Sequence, residues 1–212
     1  MGKSKRVVTI VDYRTSNIKS VANMLRKIGT KAIITSDPEQ VRKAEMLILP
    51  GVGAFDAAVK NLSQIHLDEA LSEVVMKRKV PILGICLGMQ LLADSSDEGK
   101  LPGLGWIPGR VKKFNFSSLK VELPIPHMGW NYVDPVDDTF FLFKNVPRPM
   151  RFYFVHSYHF VPNDPKEVVA TTDYGYSFAS VVAKEHVLGV QFHPEKSHKF
   201  GKQLLKNFVE ME

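Results

Sequence analysis

Val80-Pro81-Ile82-Leu83-Gly84-Ile85-Cys86-Leu87-Gly88 is an apolar run ending in a cysteine that has a glycine two residues to either side. The run reads as a strand ending at about Ile85, and Leu87 reads as the start of a helix, so Cys86 falls on a sharp strand-to-helix turn. An elbow of this kind strains the backbone of its central residue and leaves no room for side chains at the flanking positions, which accounts for both glycines. It is a nucleophile elbow with sulfur in place of serine oxygen. The turn lifts the thiol to the carboxyl edge of the sheet, and the following helix is expected to add partial positive charge that favours thiolate.

A thiol nucleophile needs a base within hydrogen-bond reach, and the base needs a third group to fix its tautomer. Val190-Gln191-Phe192-His193-Pro194-Glu195, which closes the apolar run Val187-Leu188-Gly189-Val190, supplies both in His193 and Glu195. Alternation along an extended segment puts residues i and i+2 on one face, so imidazole and carboxylate are expected to point the same way, with Pro194 stiffening the turn. A third stretch, Met46-Leu47-Ile48-Leu49-Pro50-Gly51-Val52-Gly53-Ala54-Phe55, reads as a strand followed by a glycine-rich turn. An acyl-transfer oxyanion wants backbone N–H donors, and glycine lets main chain approach without a Cβ. The turn Gly51, Val52, Gly53 is expected to present one donor and the amide of Leu87 the other. Taken singly, a lone cysteine reads as a small buried hydrophobe, His-x-Glu as a surface pair, and Pro-Gly-x-Gly as an ordinary turn. Their joint occurrence points to nucleophilic catalysis.

These three segments together resemble the class I, triad-type glutamine amidotransferases, which remove ammonia from glutamine through a Cys-His-Glu triad. The elbow extends to Met89-Gln90 and the last cluster to Lys196-Ser197. Within that class, Pro126-His127-Met128-Gly129-Trp130-Asn131, Tyr153-Phe154-Val155-His156-Ser157-Tyr158 and Leu204-Leu205-Lys206-Asn207-Phe208 are similar to the glutaminase subunit of imidazole glycerol phosphate synthases. The resemblance covers nearly the whole chain. It implies that Gln90 contacts the glutamine substrate, that Glu98 takes its α-ammonium, and that backbone around Ser157 and Tyr158 lines the same pocket. It further implies a (βα)₈ cyclase-type synthase as heterodimer partner and a channel that passes ammonia to it. No cofactor and no metal enter this reading; His156 and His159 are expected to be structural or pocket-lining.

One segment departs from the family pattern. Where the family typically reads Asp-Tyr-Gly-x-Gly-Asn, this chain has Asp12-Tyr13-Arg14-Thr15-Ser16-Asn17. Losing two glycines implies either a different backbone or packing against a partner through a cationic side chain. Two further readings follow: the same glutaminase chemistry serving another amination, such as surface-sugar biosynthesis, and a non-catalytic regulatory partner, against which the intact triad argues.

The 212 residues suit a single α/β domain spanning 1–212. Short β-rich runs at 7–11, 31–34, 46–49, 80–85, 151–155, 167–170, 180–183 and 187–192 alternate in part with helical patterns. This predicts a mostly parallel central sheet flanked by helices. Helices are expected over Ser16–Ile28, with Val21, Met24, Leu25 and Ile28 as its stripe, and over Phe55–Leu62, Leu67–Lys77 and His198–Val209. The proline- and aromatic-rich stretch from Leu101 to Asn163 reads as a smaller antiparallel lobe of the same domain, with Phe140–Phe143 and Phe152–Phe154 in its core. The net charge of +6 is scattered rather than gathered into a basic stripe with exposed aromatics, so a solvated or protein-docking surface is expected rather than nucleic acid. A single cysteine excludes an internal disulfide. The basic opening leads only into a strand-length apolar run broken by Asp12, so neither a signal peptide nor a membrane span is expected and the cytoplasm is the expected compartment.

Overall fold

The computed structural model describes residues 6–14, 17–117, 119 and 123–211. In its first half, strands β1 (Val8–Val11), β2 (Ala32–Thr35), β3 (Leu47–Gly51) and β4 (Ile82–Cys86) alternate with helices α1 (Ile18–Lys27), α2 (Pro38–Arg42), α3 (Phe55–Gln64) and α4 (Leu67–Ser72). A single helical turn, α5 (Leu87–Gln90), follows β4. The middle of the chain holds β5 (Ser95–Ser96), β6 (Gly109–Lys113), β7 (His127–Tyr132), β8 (Asp134–Pro135), β9 (Arg151–His156) and β10 (Tyr158–Pro162). The chain then forms β11 (Val168–Tyr174), β12 (Tyr176–Lys184), β13 (Val187–Val190) and α6 (His198–Val209).

The main sheet has eight strands in the order β2-β1-β3-β4-β13-β12-β11-β8. The pairings from β2 to β13 are all parallel and the remaining three antiparallel. Every residue of β1, β3, β4 and β13 is buried, as expected for central parallel strands covered on both faces. Alternation divides them between two cores: Ile48, Leu83 and Leu188 pack with α1 and α6, whereas Leu47, Leu49, Ile82 and Val187 pack with α3 and α4. The mostly parallel sheet flanked by helices is thus present. No helix among the described residues is long and apolar enough to cross a membrane.

Several elements differ from their sequence expectation. Helix α1 begins at Ile18, after Asn17 in a left-handed conformation, and Ser16 lies outside the described residues. The helix expected from Leu67 to Lys77 widens at Glu73 into a π-helical turn, with Arg78 N–H donating to the Glu73 carbonyl; this buries the adjacent valines 74 and 75 together. Strands β11 and β12 run past the apolar runs to meet at Gly175 (φ +75), because Thr, Asp and Ser side chains occupy the outer positions of an antiparallel ribbon. The smaller lobe is two sheets, β10-β6-β5 and β7-β9, and β5 pairs with β6 in parallel. Leu142, Phe143, Phe152 and Phe154 are buried, while Phe140, Phe141 and Tyr153 are half-buried.

Arg14 occupies the first of the departing glycine positions and has a φ of 66°, with its N–H donating to Asp12 Oδ1 at 2.9 Å. The turn therefore keeps a left-handed backbone that glycine tolerates and arginine resists. Left-handed strain of about 1–2 kcal/mol, less the extra chain entropy of glycine of about 0.5–1 kcal/mol, predicts that Arg14→Gly gains roughly 0.5–1 kcal/mol. Urea unfolding checks this, and a lower midpoint for the variant contradicts it.

Candidate active site

Register brings Gly51 at the end of β3 beside Cys86 at the end of β4. Cys86 has φ 54° and ψ −109°, a conformation costing a non-glycine residue about 1–3 kcal/mol. The flanking glycines are enforced by contact: a Cβ on Gly88 would lie 1.8 Å from the Leu49 carbonyl oxygen, and one on Gly84 2.6 Å from that of Gly88. The elbow is formed as its spacing predicts. The helix after it is only the four residues of α5, however, too short for a developed macrodipole, so the thiolate must find its support elsewhere.

That support comes from the segment after β13. His193 N–H donates to the Tyr153 carbonyl at 2.9 Å, and Ser197 Oγ donates to the His193 carbonyl at 2.7 Å, so β9 and the start of α6 hold the histidine on both sides. Its Nδ1–H donates to Glu195 Oε1 at 2.7 Å. Both residues are nearly inaccessible, the imidazole at 1% and Glu195 at 9% exposure. The pairing does not come from strand alternation, since Pro194–Lys196 is a 3-10 turn and the carboxylate returns to the ring by turning. The same Oε1 accepts from Asn17 Nδ2, tying the triad to the turn before α1. Burial opposes charge on His193, but the Cys86 sulfur and the Glu195 carboxylate together outweigh it and raise the imidazole to about 9. Nε2 makes no hydrogen bond to a described residue, so it remains available to the thiol.

Cys86 opens on a cavity of about 310 Å³. This is at the small end for ligand pockets, matched to a free amino acid rather than a macromolecule. Val52, Gly53, Leu87, Gln90, Glu98, Ser157 and Tyr158, all anticipated from the sequence, line it, as do Pro126, Val155 and His156. Gly51 does not line it; its missing side chain instead makes room for the buried Tyr13, whose hydroxyl would lie 2.2 Å from a Cβ there. Gly53 has φ +115° with open space at its Cβ position, so backbone alone faces the cavity. One Glu98 oxygen accepts from Phe55 N–H at 2.9 Å, which fixes the carboxylate at the cavity wall. Gln90 is held by two bonds from its Nε2, to the Tyr158 carbonyl at 3.0 Å and to Gln191 Oε1 at 3.1 Å. Gln191 and Asn17 were not assigned from the sequence. Gln191 lies inside the quoted cluster as a lone amide ending an apolar run, which was the available signal; Asn17 meets Glu195 across 178 residues, with no local signal.

Residues 9–211 match the family model described as glutamine amidotransferase class-I. The chain is 49% identical over 204 residues to the imidazole glycerol phosphate synthase subunit HisH 2 of Methanococcus maripaludis, covering 96% of this chain and 98% of the relative. It is 46% identical to the subunit HisH 2 of Pseudomonas aeruginosa over 97% of this chain and all of the relative. Among solved structures, a glutamine amidotransferase superposes with a TM-score of 0.74 at 19% identity, over 95% of this chain and 97% of that one. PurLQS from Thermotoga maritima superposes with a TM-score of 0.71 at 18% identity, over 97% of this chain and 98% of that one, which likewise shows the shared fold. A full-length family match, relatives at nearly half identity and a common fold place the chain in the class I glutamine amidotransferase family.

Proposed function

We propose that this chain is the glutaminase subunit of an imidazole glycerol phosphate synthase, a single amidotransferase domain that hydrolyses glutamine and delivers the ammonia to a (βα)₈ cyclase-type subunit in the cytoplasm. The carrying observation is the convergence of a strained Cys86, a buried His193–Glu195 pair and a small cavity walled by the fixed groups of Gln90 and Glu98. Relatives that bear the synthase-subunit name along their whole length support the choice of synthase.

In this mechanism Glu98 takes the α-ammonium of glutamine and backbone at Ser157 and Tyr158 lines its other side, placing the side-chain amide at the sulfur. His193, held up to about 9 by the sulfur and the Glu195 carboxylate, carries the proton taken from Cys86, and the thiolate attacks the amide carbon. Backbone amides of the Val52–Gly53 turn and of Leu87 stabilise the oxyanion. The imidazolium then gives its proton to the departing nitrogen, and ammonia leaves behind a γ-glutamyl thioester. Water, deprotonated by the same imidazole, releases glutamate and restores the thiol. Ammonia in bulk water would be protonated, so delivery requires a docked synthase.

Strand β7 presents a face suited to docking, with Met128, Trp130 and Tyr132 exposed at 62%, 42% and 52%. Trp130 stacks on His198 with ring centroids 5.6 Å apart and lies under the Arg151 guanidinium, so it is preorganised as an anchor. Trp130→Ala is expected to weaken subunit association by roughly 30-fold or more, a loss of about 2 kcal/mol, as read by titration calorimetry. Unchanged affinity would move the docking face elsewhere. The function itself is tested by glutamate release from glutamine by this chain alone and with a cyclase-type subunit: release that rises on mixing supports the proposal, and silence of the folded complex contradicts it. Arg14, part of the departure that favoured another acceptor, adopts a left-handed backbone that glycine also reaches, and the full-length synthase-subunit relatives favour the imidazole glycerol phosphate synthase reading over that alternative.

A further inference from the structure

The proton transfers above make no use of two buried histidines of the smaller lobe, His127 and His156, yet a hydrogen-bonded line runs from them to the nucleophile. Its directions are fixed by one group, the Tyr158 carbonyl, which can only accept. It takes His156 Nδ1–H at 2.8 Å and Gln90 Nε2–H at 3.0 Å. With its proton on Nδ1, His156 must accept at Nε2, where His127 Nδ1 lies at 3.0 Å. His127 in turn accepts at Nε2 from Asn131 Nδ2, 3.2 Å away. Asn131 is itself pinned, its Nδ2 also donating to the Asp173 carbonyl at 2.9 Å and its Oδ1 accepting from Tyr132 N–H at 2.8 Å. On the other arm, Gln90 donates to Gln191 Oε1, so the Gln191 amide must turn its N–H toward Cys86 Sγ, 3.7 Å away. The Val155 carbonyl, 3.9 Å from the sulfur, suits the thiol, whereas the Gln191 N–H is a donor suited to the thiolate.

We propose that Gln191 holds the Cys86 thiolate through its side-chain N–H, and that Asn131, His127 and His156 are positioning residues that fix Gln191 through the Tyr158 carbonyl and Gln90. The surroundings keep the line in one protonation state. Phe154 and Tyr174 stack against His127, and Phe114 and Phe178 pack around His156. Burial holds the two imidazoles down to about 4 and about 3, and His127, His159 and His193 further oppose a positive charge on His156. Both histidines are therefore neutral at physiological pH, each able to donate in one direction and accept in the other.

Since the inference rests on the glutaminase reading for its effect on turnover, the test begins with a readout that does not. Cys86 is the only cysteine, so the pH dependence of alkylation of the full chain by iodoacetamide reports its thiolate directly. Gln191→Met is expected to react about tenfold more slowly at neutral pH, with the profile moved to higher pH, because a hydrogen bond to a charged group is lost. Asn131→Asp, at a half-buried position, cannot donate to His127, reverses the line and withdraws one donor from the Tyr158 carbonyl; about threefold slower alkylation is expected. His127→Phe removes the donor to His156 without reversing the line and should slow alkylation less than Asn131→Asp, whereas His127→Asn, which keeps an N–H donor on Cγ, should restore most of the wild-type profile. In the complex, Gln191→Met should lower kcat with KM nearly unchanged. Identical alkylation profiles for wild type and Gln191→Met overturn the proposal; a slowed Gln191→Met beside an unchanged Asn131→Asp overturns the positioning role. Absence of glutamate release from the wild-type complex would instead count against the glutaminase reading and leave the alkylation result standing.

Discussion

Cys86→Ala will reduce glutamate release from glutamine by roughly 10⁵- to 10⁶-fold, to the level sustained by binding and oxyanion stabilisation alone. The sulfur is the only atom in the cavity placed to form a thioester, and the backbone at φ 54° carries its strain for the purpose of presenting it. Alanine keeps that backbone and fits the 6%-exposed site, so the variant should fold, bind glutamine and dock its partner. Steady-state glutamate assays on the complex check the loss. A residual rate within about tenfold of wild type would show that the hydrolysis proceeds without the thioester.

Glu195→Gln is expected to cost about 10³- to 10⁴-fold in kcat for a different reason. Glutamate at this position accepts from His193 Nδ1–H, which leaves Nε2 as the basic nitrogen facing the thiol. A glutamine amide can instead donate to Nδ1, moving the proton to Nε2 and blanking the base. The substitution also removes one of the two groups that raise His193 against burial, so the imidazole falls from about 9 toward or below its ordinary 6.5. For a group raised in the folded state, the stabilisation is complete below the unfolded value and is lost as pH rises through the folded one. Wild-type stability should therefore decline between pH 6.5 and about 9, and this slope should flatten in Glu195→Gln. Equilibrium unfolding across that window, with pH–rate profiles of the complex, checks both statements; an unchanged slope contradicts the assigned cause.

The parts of this site readable from the sequence are those encoded by short-range steric rules. Gly84 is imposed by contact within the elbow itself and Gly88 by the adjacent strand β3, and the runs 46–49, 80–85 and 187–192 match β3, β4 and β13, with slips of a few residues at their ends. What escaped the reading depends on closure over long separations. Asn17 reaches Glu195 only because α1 packs beside the turn that follows β13, and Gln191 faces Cys86 because two parallel strands place it there. Local geometry misled in two places: Glu195 reaches His193 by a 3-10 turn rather than by alternation, and α5 ends after one turn. The histidine line was illegible for the same reason as Asn17, since His127, His156 and Gln90 come from three elements whose meeting no periodicity announces.

Release of the glutamine amide nitrogen by Cys86 for use by a synthase is tested by following imidazole glycerol phosphate formation in the reconstituted complex with glutamine as the nitrogen source. Product should form with the wild-type chain, vanish with Cys86→Ala, and return in that variant when ammonium salts are added at alkaline pH. Formation from glutamine at an equal rate with Cys86→Ala, or none from the folded wild-type complex that still works with ammonium, would contradict it.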